Sequence, residues 1–387
     1  MTSTPVSPTE RIDAVDILRG IALFGVLAVN VVNEFRVSIF EQFLPSPAPV
    51  SSLDNAIQTV LTMAVELKAF ALFSMLFGLG LAIQYDRLAQ NPRRLVLLVR
   101  RLVILLMIGL MHLFLIWNGD ILTEYSLAGF IALPCLYGPR WLPATGATIF
   151  MGLYLAMPLL PPIVPWPTIA WLKQHVVEAN DVYGSGGFLE ILAFRIRETP
   201  AFLPLHVAVF PRTIALFLFG MFVWRTGIMR APAKHGFLLL IVAIIGVVAG
   251  GSLTIAADSR ALSGLGPARL SIEELATALL AMGYGAAIVD FADTRAGKTM
   301  LAWAAPLGRM AFTNYLAQSI IFGWIFYGYG LGLFGHIGVT AALAIGICVY
   351  VAQVLISLQW LRYFRFGPVE WIWRKLMYGT PQPLLRR

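Results

Sequence analysis

An acidic and a basic residue stand together at the start of the first apolar segment. Asp16 and Arg19 are three residues apart, so they share one face of a helix and can neutralise each other. Beyond Arg19 the chain stays apolar until Asn30 and Asn33. Because ionised groups near hydrocarbon are costly unless they are paired, such a pair is a candidate functional site. Anchoring of the helix by an arginine that reaches the interface is the alternative, and the residues alone leave both open.

A second set of polar residues is predicted at the opposite end of the helices. His112 lies near the end of the third apolar segment, and Asp120 lies at the start of the fourth, after a tight turn. Segments adjacent in sequence usually pack together, so these side chains are expected to be close. Histidine suits general acid–base catalysis, and a carboxylate can orient its ring. With Asn30 and Arg212 they form a candidate outward-facing pocket. An interhelical hydrogen bond for His112 and an N-cap for Asp120 are the structural alternatives.

Other polar residues are predicted at membrane depth and could line a substrate pocket. Glu66 and Lys68, in the second segment, are two residues apart and therefore need partners on other helices. Asn314 and Gln318 are four apart on the ninth segment, so they either join helices or line a cavity. Tyr125 lies one turn into the fourth segment and belongs to the same candidate pocket as the outward-facing residues.

Basic residues gather on the side of the membrane where the chain begins. Arg93, Arg94 and Arg309 flank apolar segments on the same side as Asp16 and Arg19. Arginine binds phosphate bidentately, so these five residues could bind an anionic co-substrate such as acyl-CoA. For most of the arginines, setting the topology and attracting anionic lipid headgroups is the simpler interpretation.

These residues are carried by a chain with the composition of a polytopic membrane protein. Of its 387 residues, 59% are hydrophobic and only 12% are charged, whereas about 25% of the residues in a soluble domain are charged. The sequence predicts an all-α bundle of about ten transmembrane helices in one domain, residues 1–387. The ten apolar segments are about 14–33, 56–83, 95–117, 121–138, 142–160, 205–224, 236–257, 271–291, 308–328 and 337–361.

The loops between these segments alternate in charge. Lysines and arginines follow the second, sixth, eighth and tenth segments, whereas the loops 34–55, 118–120 and 329–336 contain Arg36 alone. The positive-inside rule therefore predicts that both termini are cytoplasmic, which agrees with an even number of spans. The net charge of +8 comes from these dispersed residues and does not indicate binding of nucleic acid.

Two segments outside the spans have predicted roles at the membrane surface. The loop 161–204 is the longest and faces outward, with a surface helix near 188–197. The tail 367–387 contains tryptophans and cations in a pattern typical of a helix in the cytoplasmic interface. The two cysteines, Cys135 and Cys348, lie in apolar runs without the spacing of metal ligands, and no metal site is predicted.

Five groups of motif residues are spread over nearly the whole chain. They are Arg11-Ile12-Asp13 to Asp16-Ile17-Leu18-Arg19-Gly20, Phe73-Ser74-Met75-Leu76-Phe77-Gly78, His112 with Gly119-Asp120-Ile121-Leu122, Gly308-Arg309 with Thr313-Asn314-Tyr315-Leu316, and Gly367-Pro368 with Glu370-Trp371 and Trp373-Arg374. In this joint set the chain resembles the YeiB family of bacterial inner-membrane proteins, whose function is largely unassigned. The resemblance implies a multi-pass protein of the bacterial cytoplasmic membrane.

The first helix is also similar to that of integral-membrane acyltransferases, including the heparan-α-glucosaminide N-acetyltransferase type. Those enzymes move an acyl group from cytoplasmic acyl-CoA to an acceptor on the far side of the membrane. Related sugar and lipopolysaccharide O-acyltransferases usually place a histidine eleven residues after the arginine of this helix, and here that position is Asn30. An amide cannot act as a general base, so the resemblance makes His112 the expected substitute, with Asn30 orienting or polarising.

The leading hypothesis is a transmembrane acyltransferase. In it Arg19, with Arg93 or Arg94, holds the phosphates of acyl-CoA. His112 deprotonates a small-molecule, lipid or glycan acceptor, and Asp120 fixes the tautomer of the imidazole. This hypothesis requires the lipid bilayer, no metal and no nucleic acid, and it is compatible with a homodimer.

The alternative hypothesis is a transporter or flippase for a small anionic or amphiphilic solute. Here the same polar residues, among them Glu66, Lys68, Arg212 and Asn314, form a path through the membrane. It predicts solute accumulation without consumption of an acyl donor. A non-catalytic partner or sensor is a third interpretation that the sequence leaves open.

Overall fold

Sixteen α-helices make up most of the chain in the computed structural model, which describes residues 13–45, 51–380 and 382–386. Arg11 and Ile12 of the N-terminal motif lie outside the described residues. In chain order the helices are α1 (Asp13–Asn30), α2 (Ser52–Val60), α3 (Lys68–Arg87), α4 (Arg94–Met111), α5 (Leu122–Ala132), α6 (Leu142–Ala156), α7 (Ile169–Ser185), α8 (Phe188–Glu198), α9 (Leu203–Thr226), α10 (Gly236–Asp258), α11 (Pro267–Asp293), α12 (Arg295–Met300), α13 (Ala304–Arg309), α14 (Ala311–Phe326), α15 (Val339–Tyr363) and α16 (Pro368–Tyr378).

Eight helical segments among the described residues are long and apolar enough to cross a membrane. They are Asp13–Phe35, Ser52–Arg87, Arg94–Ile116, Leu142–Leu159, Phe188–Thr226, Pro232–Asp258, Pro267–Asp293 and Val339–Tyr363. The predicted all-α polytopic bundle is confirmed, but two of the ten predicted segments form shorter helices. The fourth ends in a 3₁₀ turn that contains Pro134, and the ninth has only 16 residues because Met310 separates α13 from α14.

Helix α1 lies at the centre of the bundle. In its most apolar stretch 78% of the residues are buried inside the protein, against 17% in α6 and 22% in the segment that contains α10. Glycines let α13 approach α1 at backbone distance: a Cβ atom on Gly20 would lie 2.2 Å from the carbonyl oxygen of Ala304, and one on Gly308 would lie 1.8 Å from that of Asp16. This close contact brings Arg309, the last residue of α13, to the end of the bundle where Asp16 lies.

The second apolar segment, predicted as one helix, is broken in the middle of the membrane. A π-helical turn, Leu61–Val65, follows α2, and Leu67 then adopts φ 61° before α3 begins. The backbone of Glu66 is extended, with ψ 137°. The amino group of Lys68 donates to the carbonyl oxygen of Thr62 at 3.0 Å, which satisfies one of the groups left free by the break. Broken helices at membrane depth occur where the backbone lines a cavity or is buried in protein.

The long outward loop contains two helices instead of the one that the sequence predicts. Helix α8 corresponds to the predicted surface helix, and α7 was not predicted. Residues of α7 at helical spacing are buried, and its N-cap Thr168 accepts from the backbone N–H of Trp171 at 3.2 Å. The two helices, with the loop that precedes α15, form a cap over the outward end of the bundle, where Gly328 donates to the carbonyl oxygen of Tyr183.

The C-terminal helix α16 folds against the basic end of the bundle. The Trp373 indole donates to the carbonyl oxygen of Arg101 at 3.1 Å, and the Gln84 amide donates to the Tyr378 hydroxyl at 2.8 Å. The carboxylate of Glu370 accepts from the backbone N–H groups of Phe312 and Thr313 and so caps α14. The helix predicted in the tail 367–387 is therefore joined by hydrogen bonds to α3, α4 and α14.

Candidate functional site

His112 and Asp120 form a buried pair at the outward end of α4. The Nδ1 atom of His112 lies 2.8 Å from Oδ1 of Asp120, and both side chains are fully buried. Because a carboxylate accepts, Nδ1 carries the hydrogen, and Nε2 is then the basic nitrogen. Nε2 is buried and has no hydrogen-bond partner among the described residues. The arrangement is that of an oriented general base whose reactive nitrogen is unshared.

The same aspartate also caps α5. Oδ1 of Asp120 accepts from the backbone N–H of Leu122 at 3.1 Å, and Oδ2 accepts from that of Thr123 at 2.7 Å. The N-cap interpretation and the histidine-orienting interpretation are therefore both satisfied by one side chain. His112 in turn begins a π-helical turn, His112–Ile116, and π-helical turns are frequent at functional sites.

A cavity of about 270 Å³ opens at the basic end of the bundle and reaches toward this pair. Six arginines line it: Arg19, Arg87, Arg101, Arg309, Arg365 and Arg374. Arg19 pairs with Asp16 at 3.1 Å, as the three-residue spacing predicts, and both residues belong to the cavity wall. Such a concentration of guanidinium groups fits a ligand with several phosphate groups.

Of the four arginines predicted for the donor site, Arg19 and Arg309 line the cavity, whereas Arg93 and Arg94 do not. Arg94 lies over the ring of Tyr85, with Cζ 3.0 Å from the ring centre, and its Nε donates to the Tyr85 carbonyl oxygen. Arg93 is exposed, and neither Arg93 nor Arg94 is among the residues that line the described cavity. About two turns further along α4, Arg101 lies in the wall, over the ring of Trp373 at 4.4 Å. The sequence signal for Arg101 was its place nearly two helical turns inside the apolar segment 95–117.

Aromatic side chains form the inner end of the cavity. Tyr125 lines it and shares hydrogen bonds with Ser74 and the Phe70 carbonyl oxygen. Tyr315, a residue of the ninth-segment motif, lies with its ring centre 5.3 Å from that of His112. Tyr315 is thus in contact with the cavity on one side and with the histidine on the other. Its proximity to His112 was not predicted, because the two residues are far apart in sequence.

On the other side of His112 lies a small pocket beneath the outward cap. Trp117, whose ring centre is 6.1 Å from that of His112, forms part of its wall together with Glu34. The side chain of Glu198 accepts from the Asn118 amide at 2.6 Å and from the Tyr183 hydroxyl at 2.7 Å. Burial and the neighbouring Glu198 raise the pKa of Tyr183 well above its usual value, so its hydroxyl remains a donor.

Glu198 also lies 2.7 Å from Nε2 of His175. Asn118 and Asp120 are two residues apart in one short loop: Asn118 binds the Glu198–Tyr183 pair, and Asp120 forms a pair with His112. One pair belongs to the cap and the other to the bundle. This loop ties the cap to the His112 site.

The remaining predicted residues lie away from the arginine cavity. Asn314 donates to Ser357 at 3.0 Å, and Gln318 donates to Gln353 at 2.8 Å, so both join α14 to α15. Asn30 is buried in α1, and its Oδ1 has no hydrogen-bond partner among the described residues. The choice left open for Asn314 and Gln318 is thus resolved toward helix association.

Arg212 belongs to a separate charged cluster with Glu124 and Glu274. Lys68 interacts with Glu66 and with Glu274. The structure therefore does not bring Arg212 to His112, and it divides the predicted outward pocket into two regions.

Known proteins with similar sequences share the whole length of this chain. The family described as protein of unknown function (DUF418) matches residues 223–380. The uncharacterised protein YxaH of Bacillus subtilis is 33% identical over 99% of this chain and 98% of its own length. The uncharacterised protein YeiB of Escherichia coli is 28% identical over 98% of this chain and 99% of its own length. A 39.9 kDa protein of Bacillus acidopullulyticus is 26% identical over 98% of each chain.

Proposed function

The chain belongs to the YeiB-like family of uncharacterised proteins, and we propose that it is a transmembrane acyltransferase. The observation that carries this proposal is the position of the arginine cavity, whose inner wall adjoins the histidine. A cavity lined by arginines ends at Ile121, Leu122 and Tyr315, beside a buried histidine whose Nε2 is unshared. A donor with phosphate groups at one end and a thioester at the other matches a cavity that has arginines at its open end and an enclosed, largely apolar inner end.

The donor is acyl-CoA in this proposal. Its phosphates bind the arginines at the basic end, which the positive-inside rule assigns to the cytoplasmic side of a bacterial membrane. Arg19 and Arg101 lie deeper in the helices than the loop arginines, so they contact the part of the donor nearer to the thioester. Tyr125 and Tyr315 enclose the reacting end, which excludes water from the thioester.

The acceptor approaches His112 from the outward side. Nε2 removes the proton from an acceptor hydroxyl or amine while the acceptor oxygen or nitrogen attacks the thioester carbonyl carbon. The new C–O or C–N bond forms, the C–S bond breaks, and the sulfur leaves as a thiolate that takes the proton back from the imidazolium. Asp120 holds the Nδ1 hydrogen throughout and stabilises the positive charge of the ring.

Thermal unfolding of the purified protein with CoA and acetyl-CoA tests the donor site. A ligand that binds only the folded protein stabilises it by about 2.7 kcal/mol at a hundredfold excess over its Kd. We expect CoA to stabilise the native protein and His112→Ala but not Arg19→Ala. We also expect His112→Ala to lose transferase activity. No shift with any CoA species contradicts the proposal.

A transporter is the second candidate, and the broken helix favours it. Leu67 adopts a positive φ at membrane depth, and Lys68 follows directly. Transporters place solutes at such breaks. Uptake of a solute by proteoliposomes without consumption of an acyl donor distinguishes this function from acyl transfer.

A further inference from the structure

A second polar site lies between α5, α6, α9 and α11, apart from the His112 pair. Arg212 of α9 is buried, and its Nε and Nη1 atoms have no hydrogen-bond partner among the described residues. Oε2 of Glu274, in α11, is likewise buried and without a partner within the described chain. Arg212 lies with Cζ 5.7 Å from the ring centre of Tyr154. An unmet guanidinium donor and an unmet carboxylate acceptor therefore occur in one cluster.

The protein satisfies these groups only in part: Tyr154 hydrogen-bonds to both side chains but leaves the three atoms unmet. Arg212 and Glu274 attract each other electrostatically without a hydrogen bond that would use the unmet atoms. Glu124, the other carboxylate near Arg212, is already occupied: Thr213 donates to one of its oxygens, and His206 lies 3.3 Å from the other. Buried charged groups in a bilayer protein are normally fully hydrogen-bonded, so a ligand or water must complete this cluster.

The charge of the cluster indicates what kind of ligand fits. The cluster and its neighbours contain four carboxylates and three cations, so carboxylates outnumber cations by one: Glu66, Glu124, Glu273 and Glu274 against Lys68, Arg212 and Arg269. A ligand that is only an anion would add to this excess. A ligand with an anionic group for Arg212 and a cationic donor for Glu274 satisfies both unmet groups without changing the net charge.

One edge of the cluster, at His206 and Glu124, is partly exposed on the outward face. The His206 side chain is 38% exposed near the outward start of α9, and Glu124 beside it is 12% exposed. Leu153 on α6 and Leu275 on α11 are exposed next to the cluster and offer an apolar surface to a lipid chain. A headgroup could enter from the membrane, and a soluble molecule could enter beside His206.

We propose that this cluster binds a zwitterion, with its phosphate or carboxylate on Arg212 and its ammonium group on Glu274. The ligand is either the headgroup of an ethanolamine phospholipid or a soluble molecule of the same chemistry. The inference does not depend on acyl transfer, because neither Arg212 nor Glu274 lines the arginine cavity or hydrogen-bonds to the His112 pair.

Native mass spectrometry of the full-length protein tests the lipid source. Phosphatidylethanolamine is compared with phosphatidylglycerol of the same acyl chains, and phosphoethanolamine is added in a parallel thermal-unfolding assay. We expect the ethanolamine lipid or phosphoethanolamine to bind, and Arg212→Gln and Glu274→Gln each to weaken it on the order of tenfold. Arg197→Gln, an outward arginine that is 67% exposed, is the matched control and should have no effect.

Each outcome decides the proposal. Preference for the ethanolamine lipid that both variants lose identifies a headgroup site. Stabilisation by phosphoethanolamine alone identifies a soluble ligand. If phosphatidylglycerol binds as well as phosphatidylethanolamine, and only the Arg212 variant weakens binding, the cluster is a simple anion site and the proposal is overturned. If the native protein shows no preference for either ethanolamine ligand, the cluster is only hydrated and the proposal is also overturned. This result does not depend on whether a variant folds.

Discussion

The two roles of Asp120 can be separated by two substitutions. Its carboxylate accepts from Leu122 and Thr123 as the cap of α5 and from His112 as the orienting partner. Asparagine is as good an N-cap as aspartate, whereas alanine cannot cap at all. Asp120→Asn should therefore keep the helix start but lose the negative charge beside the imidazole, and Asp120→Ala should lose both.

The magnitudes follow from these contacts. Loss of the cap costs about 0.5–2 kcal/mol of folding free energy, and an unpaired buried Nδ1 on His112 costs about 1–3 kcal/mol. Asp120→Ala should therefore lower the free energy of unfolding by about 1.5–5 kcal/mol. In Asp120→Asn the loss should be about 1 kcal/mol, since the cap remains. Acyl transfer should fall on the order of 10²–10⁴-fold in both variants.

Thermal unfolding and a donor-consumption assay on the same preparations measure the two effects. Thr168→Ala removes the cap of α7 and serves as a control that should lose stability without losing transfer. CoA should still stabilise Asp120→Asn, because the arginine cavity is unchanged. Transfer by Asp120→Asn within threefold of the native rate would refute the reasoning and leave Asp120 as a helix cap only.

Three further predictions concern other parts of the structure. Arg101→Gln should weaken CoA binding on the order of tenfold in a titration, whereas Arg93→Gln, outside the cavity, should not; equal effects contradict the assignment of the donor site. Gly308→Ala should destabilise the protein by about 1–3 kcal/mol, because its Cβ meets the backbone of α1, whereas Gly152→Ala, with nothing within 4 Å, should be neutral or stabilising in the same unfolding assay. Burial raises the pKa of Glu370 in the folded protein, so its contribution to stability should be greatest below the pKa of an unfolded glutamate and should fall as pH rises through the folded pKa. Glu370→Gln should flatten this pH profile of the free energy of unfolding. An unchanged profile would show that Glu370 does not cause it.

Local sequence determined the features that depend on neighbouring residues. Hydropathy located the spans, since a stretch of about twenty apolar residues can only be stable in a helix across the bilayer. The i,i+3 spacing was enough to pair Asp16 with Arg19, and the short turn between two helices was enough to bring His112 and Asp120 to 2.8 Å. Helix α7 was not predicted, although the residues that it buries recur at helical spacing in the sequence.

Only the tertiary structure decided which helix faces meet. Arg94 and Arg101 have the same chemistry in the sequence, but packing turns one onto Tyr85 and the other into the cavity. The break before Lys68 and the meeting of Tyr315 with His112 likewise depend on contacts between distant segments. Hydrophobic periodicity defines an apolar face but does not say which neighbour covers it, because many pairs of apolar faces bury similar area. Close backbone contacts, such as that at Gly308, select among them.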